Sequence, residues 1–114
     1  MSEALVPILH AKNAHENAEW YRRLGFEVEG EHQFASNMPY YLFLRRGDIL
    51  LHLSEHKGDA KKGAALLYFY VDDVDALAVE FGETVRDQPW GCREISIKDP
   101  DGNRLRIGMR ASEK

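Results

Sequence analysis

The stretch Asp87-Gln-Pro-Trp-Gly-Cys-Arg-Glu-Ile-Ser-Ile-Lys-Asp-Pro-Asp-Gly-Asn-Arg-Leu-Arg-Ile-Gly108 decides how the chain is read. Asp99, Pro100, Asp101 and Gly102 satisfy the position preferences of a type I turn: Asp suits the first place, Pro pre-sets φ at the second and Gly suits the fourth. Apolar residues alternate on both sides, Ile95 and Ile97 before the turn, Leu105 and Ile107 after it. Alternation at period 2 predicts the two strands of a hairpin with one face buried. The other face carries Glu94, Ser96 and Lys98, then Arg104 and Arg106, so it either meets water or lines a polar cavity. Pro89-Trp90-Gly91 sets a large aromatic ring just upstream, at the mouth of that face.

Around this hairpin the composition sets limits. A chain of 114 residues suffices for one domain with a core, not for two independent ones. No segment approaches the roughly 18 unbroken apolar residues of a membrane span, so no membrane partner is expected. The opening Met1-Ser-Glu-Ala-Leu-Val-Pro7 lacks the basic-then-apolar layout of a signal peptide. The single cysteine, Cys92, excludes an internal disulfide and fits a reducing compartment, which points to the cytoplasm. A formal charge of −4 disfavours a nucleic-acid binder, because phosphate contacts demand clustered Lys and Arg.

Taken in order, Leu5–His10 reads as a short strand that Pro7 confines to an edge or a first position. Asn13 and Glu16 have the spacing of a capping box for a helix reaching about Leu24, with Ala14, Ala18 and Tyr21 along one face and Gly25 as the stop. Phe26–Gly30 alternates as a second strand, and residues 31–39 read as a loop with Phe34 exposed in it. Tyr40–Arg46 and Asp48–Ser54 are two strands joined by a tight turn. Residues 56–63 have linker composition. The pattern then restarts: a strand over Ala64–Val71, and a helix capped by Asp72 or Asp73 with Val74, Leu77, Ala78 and Phe81 on one face. A weak strand near Thr84–Arg86 precedes the closing hairpin. The order is β-α-β-β-β twice, an α+β arrangement of two modules, about 1–55 and 64–112, in a single domain.

That order, with Pro89-Trp-Gly91, Arg93-Glu94, Asp99-Pro-Asp-Gly-Asn103 and Trp20-Tyr-Arg-Arg-Leu-Gly-Phe26, resembles the vicinal oxygen chelate superfamily of glyoxalases, extradiol dioxygenases and antibiotic-resistance proteins. The likeness is greatest to its bleomycin-resistance branch. The resemblance implies curved mixed sheets in which paired modules wrap a cup-shaped cavity, within a chain or across a homodimer. It also assigns the family's metal positions to Val6, His52, Leu66 and Arg106. Val and Leu donate nothing and Arg repels a cation, so that set does not hold a divalent metal and no cofactor is expected.

Strand alternation groups Leu66, Tyr68 and Tyr70 on one face, with Arg104 and Arg106 on the last strand. Tyrosines there either complete a core or line a cavity; facing away from Phe69, they suit a cavity wall. Trp90 either plugs the barrel mouth or touches a ligand, and Phe34 meets a ligand or a second subunit. For His52 a half-buried structural role and a ligand contact stand level, whereas His15, His32 and His56 read as solvated surface. The expected function is a metal-independent small-molecule binder. It would sequester a planar ligand in a dimer groove, with Trp90, Phe34, Tyr68 and Tyr70 stacking and His52, Glu94 and Arg106 orienting. The competing expectation is a glyoxalase-like metal-dependent lyase, isomerase or dioxygenase with an atypical site. The excess of Arg and Lys on the hairpin's polar face favours an anionic or neutral aromatic ligand over a cationic one.

Overall fold

The computed structural model describes residues 3–110. They form β1 (Ile8–His10), α1 (Ala14–Arg23), β2 (Glu27–His32), β3 (Tyr41–Arg46), β4 (Ile49–Ser54), β5 (Leu66–Tyr70), α2 (Val74–Phe81), β6 (Arg86–Gln88), β7 (Cys92–Lys98) and β8 (Arg104–Arg110). Two four-stranded mixed sheets result, ordered β1-β4-β3-β2 and β5-β8-β7-β6, neither of them closed. In each, the first strand runs parallel to the last and the remaining pairs are antiparallel. The β-α-β-β-β order is thus repeated with its pairing. The chain divides into two compact units, one up to Ala65 together with Asp99–Asn103, the other Leu66–Lys98 and the chain from Arg104.

In the first unit, Asn13 caps α1 by accepting the Glu16 N–H (3.1 Å), and Gly25, just past the helix, takes φ +94°. Ala14, Ala18 and Tyr21 recur every three to four residues and are buried, as are Leu9, Leu42, Leu44, Leu51 and Leu53 of the sheet. In the second unit, Asp73 caps α2 through the Ala76 N–H (3.1 Å). Val74, Leu77 and Ala78 are buried there with Ile95, Ile97, Leu105 and Ile107. The strand alternation in the sequence thus translates directly into inward and outward faces. Among the described residues, no helix is long and apolar enough to cross a membrane.

Several boundaries differ from the sequence pattern for local reasons. The first strand starts at Ile8, not Leu5: the Pro7 carbonyl accepts from the His52 N–H (3.0 Å), but proline has no N–H to continue the ladder. The second runs on to His32 because the register slips by one between Val28 and Gly30, a bulge that breaks the alternation without ending the strand. The weak strand lies at Arg86–Gln88 rather than Thr84–Arg86, fixed by pairing with Glu94, Arg93 and Cys92.

The Asp99–Asn103 turn completes the first unit. Its i to i+3 bond, Gly102 N–H to the Asp99 carbonyl (3.0 Å), is the one that the turn residues imply. Asp99 is almost wholly buried. Its Oδ1 accepts the N–H groups of Asp101 and Asn103, both at 2.9 Å, and its Oδ2 accepts from the Tyr21 hydroxyl (2.7 Å) and Asn103 Nδ2 (2.9 Å). Asp101 takes Asn17 Nδ2 (2.5 Å) and, between its two oxygens, the Lys12 N–H (3.2 Å to each). Asn103 Nδ2 also donates to the His10 carbonyl (3.1 Å). Burial, then the neighbouring Asp99 charge, raises the Tyr21 phenol far above its ordinary range, so the hydroxyl remains a donor.

Every buried side-chain N or O among the described residues has a partner. Asp99→Ala would leave four donors without their acceptor. Unsatisfied buried donors cost about 1–3 kcal/mol each before relaxation, so the substitution should destabilise by at least about 3 kcal/mol in urea unfolding. Tyr21→Phe, which leaves Asp99 three other donors, should cost only about 1–2 kcal/mol. Equal effects from the two would contradict this description.

Candidate ligand-binding surfaces

The outward face of the second sheet is laid out by register. Leu66 lies beside Arg104, which pairs with Lys98; Tyr68 lies beside Arg106, which pairs with Ser96; Tyr70 lies beside Gly108, which pairs with Glu94. Tyr68 and Tyr70 are 41% and 48% exposed, and their rings meet nearly perpendicular at 5.3 Å. Arg110 stacks its guanidinium over Tyr70 at 4.7 Å. The sequence grouping of Tyr68, Tyr70, Glu94 and Arg106 on one face therefore corresponds to a real surface.

The strand face itself is more cationic than its composition suggests, because Glu94 on β7 is already engaged. Glu94 is buried, and its Oε2 accepts from the Tyr68 hydroxyl at 2.6 Å. The hydroxyl has one proton and donates it in the bond to Glu94, which leaves Cys92 Sγ, 3.0 Å away, against the oxygen's other side. Desolvation first, then these hydrogen bonds to Cys92 and Glu94, holds the Tyr68 phenol well above its ordinary range. A glycine makes the arrangement possible. A Cβ at Gly108 would overlap the Tyr68 hydroxyl and stand 2.7 Å from Cys92 Sγ, closer than real Cβ contacts come.

The cations have no such partner. Lys98 and Arg104 are directly opposed across β7 and β8, a like-charge pairing that destabilises a sheet. Among the described residues no carboxylate lies within ion-pair distance of Lys98, Arg104 or Arg106. These three, with Leu66, Ser96 and Glu83, line an open pocket of 440 Å³. Trp90 sits in the turn joining β6 to β7. The Gly91 N–H closes that turn on the Gln88 carbonyl (3.0 Å), and Gly91 adopts φ +83°, a left-handed value that glycine accepts without strain. The indole is 65% exposed.

Phe34 and His52 belong to the first unit. His52 on β4 is paired with Ile8 on β1 and Phe43 on β3. Its Nδ1 shares a 2.8 Å hydrogen bond with the Tyr41 hydroxyl, and its ring stands edge-on to Phe43 at 4.8 Å. Desolvation lowers the His52 pKa below its usual value, with Glu29 pulling the other way, so the ring is neutral at pH 7. Phe34 is 73% exposed and contacts the rings of His32 (4.4 Å) and His56 (6.1 Å). These two histidines are therefore engaged with an aromatic ring rather than merely solvated. His15 does lie at the surface, bonded to Glu31 at 2.9 Å.

Tyr41, Phe43 and Asp59 also belong to this surface, and sequence reasoning passed over them. In Tyr41-Leu-Phe-Leu every residue is apolar or aromatic, so period 2 does not reveal which pair faces out. The partner strand holds the missing signal: Phe43 is opposite His52, a residue poorly suited to a core.

A family model described as "Glyoxalase superfamily protein" matches residues 1–113. Among solved structures the chain is similar to a bleomycin-binding protein complexed with bleomycin, at 20% identity over 96% of this chain and 99% of that one, with a TM-score of 0.70. It is also similar to a bleomycin resistance determinant encoded on the transposon Tn5, at 21% identity over 96% and 98%, TM-score 0.76. A glyoxalase-related enzyme from Clostridium phytofermentans aligns at 19% identity over 96% of each chain, TM-score 0.76. At these identities the likeness is one of fold. A search of curated proteins returns no match.

The metal that the family resemblance implies does not suit the residues present. Val6 precedes β1, and the residue that pairs with His52 is Ile8, which offers no donor either. On the second sheet, Leu66 and Tyr68 lie beside Arg104 and Arg106. Divalent metals need several N, O or S donors, and His52 supplies one, already bonded to Tyr41. With matching sheet order in both modules and a family match over nearly its whole length, the chain belongs to the glyoxalase superfamily, in the fold shared by bleomycin-resistance proteins.

Proposed function

We propose that this protein binds and sequesters a small planar or aromatic molecule bearing an anionic group, without converting it chemically, and that it does so as a cytoplasmic homodimer. The observation that carries the proposal is the Lys98–Arg104 opposition beside Arg106, with no carboxylate in ion-pair reach and two exposed tyrosines alongside. A sheet does not gain stability from opposed like charges. A bound carboxylate or phosphate offsets that repulsion, and an arginine presents two N–H donors to it. Tyr68 and Tyr70 supply stacking faces, Trp90 a third from the turn, and Glu94 holds Tyr68 in place. Phe34 and His52 are the corresponding ligand contacts of the first unit.

Sequestration needs no reacting group. The similar fold of a bleomycin-binding protein supports the class, while the charge of the second sheet argues for a different ligand here. A partner copy would shield the exposed apolar and aromatic groups, Leu66 at 44% and Tyr70 at 48% among them. Sedimentation at micromolar concentration should therefore give twice the 13.1 kDa of one chain, and the single-chain mass would count against the homodimer.

The ligand reading is tested by titrating aromatic carboxylates and their amine counterparts while following tryptophan fluorescence, with Trp90→Phe as the control that leaves Trp20. Arg106→Glu should weaken the carboxylates by at least about tenfold, since hydrogen bonds to charged groups contribute about 1.5–3 kcal/mol, and should improve the amines. Gly108→Ala should displace Tyr68 from Glu94, lower stability by about 1–3 kcal/mol, and move the preference in the same direction by exposing the carboxylate. Tight amine binding by the wild type that Arg106→Glu abolishes would show the charge assignment to be inverted.

A further inference from the structure

The first unit holds a second, chemically opposite surface. His32, Phe34, Tyr41, Phe43, His56 and Asp59 line an opening of 360 Å³. We infer that this pocket takes a substituted ammonium group, held by aromatic faces and the Asp59 carboxylate. The inference rests on the reading of the chain as a small-molecule binder and names the ligand chemistry of its Phe34–His52 surface.

Most of the rings lining the pocket, and His52 beside them, meet edge to face, while Tyr41 and Phe43 are tilted at 56°. Phe34 lies at 89° to His32 and 82° to His56, and His52 at 89° to Phe43 and 70° to Tyr41. Rings set perpendicular to their neighbours turn electron-rich faces in several directions, and such faces attract a cation, most strongly a weakly hydrated one. Asp59 adds the charge. Its Oδ2 is fixed by the Ser54 hydroxyl at 2.6 Å, and among the described residues no Lys, Arg or His lies within ion-pair distance of it. Its carboxylate is near enough to Tyr41 to add to desolvation in raising that phenol. A bare metal ion is a poor occupant, because among the described residues no three His, Cys, Asp or Glu side chains are placed to hold one. An alkylated ammonium needs no such set.

The test uses choline and its neutral carbon isostere, 3,3-dimethylbutan-1-ol, followed by NMR of the Phe34, Tyr41 and Phe43 rings in the intact protein. Choline should shift these resonances saturably, and the isostere should bind at least about tenfold more weakly, because only the charge differs. Asp59 is exposed, so Asp59→Asn should fold normally and weaken choline about three- to tenfold. Equal binding of the isostere, wild-type affinity in Asp59→Asn, or the lack of any saturable choline shift would each overturn the inference. Arg106→Glu should leave choline unaffected. A wild-type protein that binds choline but no aromatic carboxylate would therefore refute the proposed anion site alone, and one that binds the carboxylate but not choline would refute this inference alone.

Discussion

Five residues at the C-terminal turn carry the constraint on which the first unit depends. Asp99, Asp101 and Asn103 are buried polar groups, costly unless fully satisfied. They are satisfied by groups far away in sequence: Tyr21 and Asn17 on α1, the Lys12 N–H and the His10 carbonyl. The network works in one geometry, since each oxygen of Asp99 accepts from two donors at once. Helix α1 is thereby fixed in rotation, with Asn17 and Tyr21 one turn apart on the same side. The end of β1 is fixed as well, and with it the register that places Ile8 beside His52.

A second constraint, smaller in extent, shapes the outward face of the other sheet. The missing side chain at Gly108 gives the Tyr68 hydroxyl room to reach Glu94. That single contact turns the tyrosine inward at its polar end while leaving the ring exposed, and it removes the acid from competition for the cations. Lys98, Arg104 and Arg106 are then left facing one another and solvent. Natural sheets usually avoid such opposition, and the proposed anion site would account for it.

Much of this was legible in the sequence, and the reasons are specific. The Asp-Pro-Asp-Gly turn, the alternating hairpin and the helix caps are local signals that read correctly from residue types alone. The face shared by Tyr68, Tyr70, Glu94 and Arg106 follows from counting by two. What was not legible depends on groups brought together by pairing. The bulge at Val28–Gly30 hides the length of β2, because it breaks the alternation on which the reading relies. The outward positions of Tyr41 and Phe43 are concealed by the leucines between and after them. That Glu94 is capped by Tyr68 depends on a void at Gly108, fourteen residues later, which no periodicity reveals.

The most direct measurement of the central claim is a crystal structure of the protein with an aromatic carboxylate bound. The carboxylate oxygens are expected within hydrogen-bond distance of Arg106 and Arg104, the ring against Tyr68 or Tyr70, and Tyr68 still donating to Glu94. A carboxylate bound away from both arginines, with Lys98, Arg104 and Arg106 left to solvent, would contradict that claim.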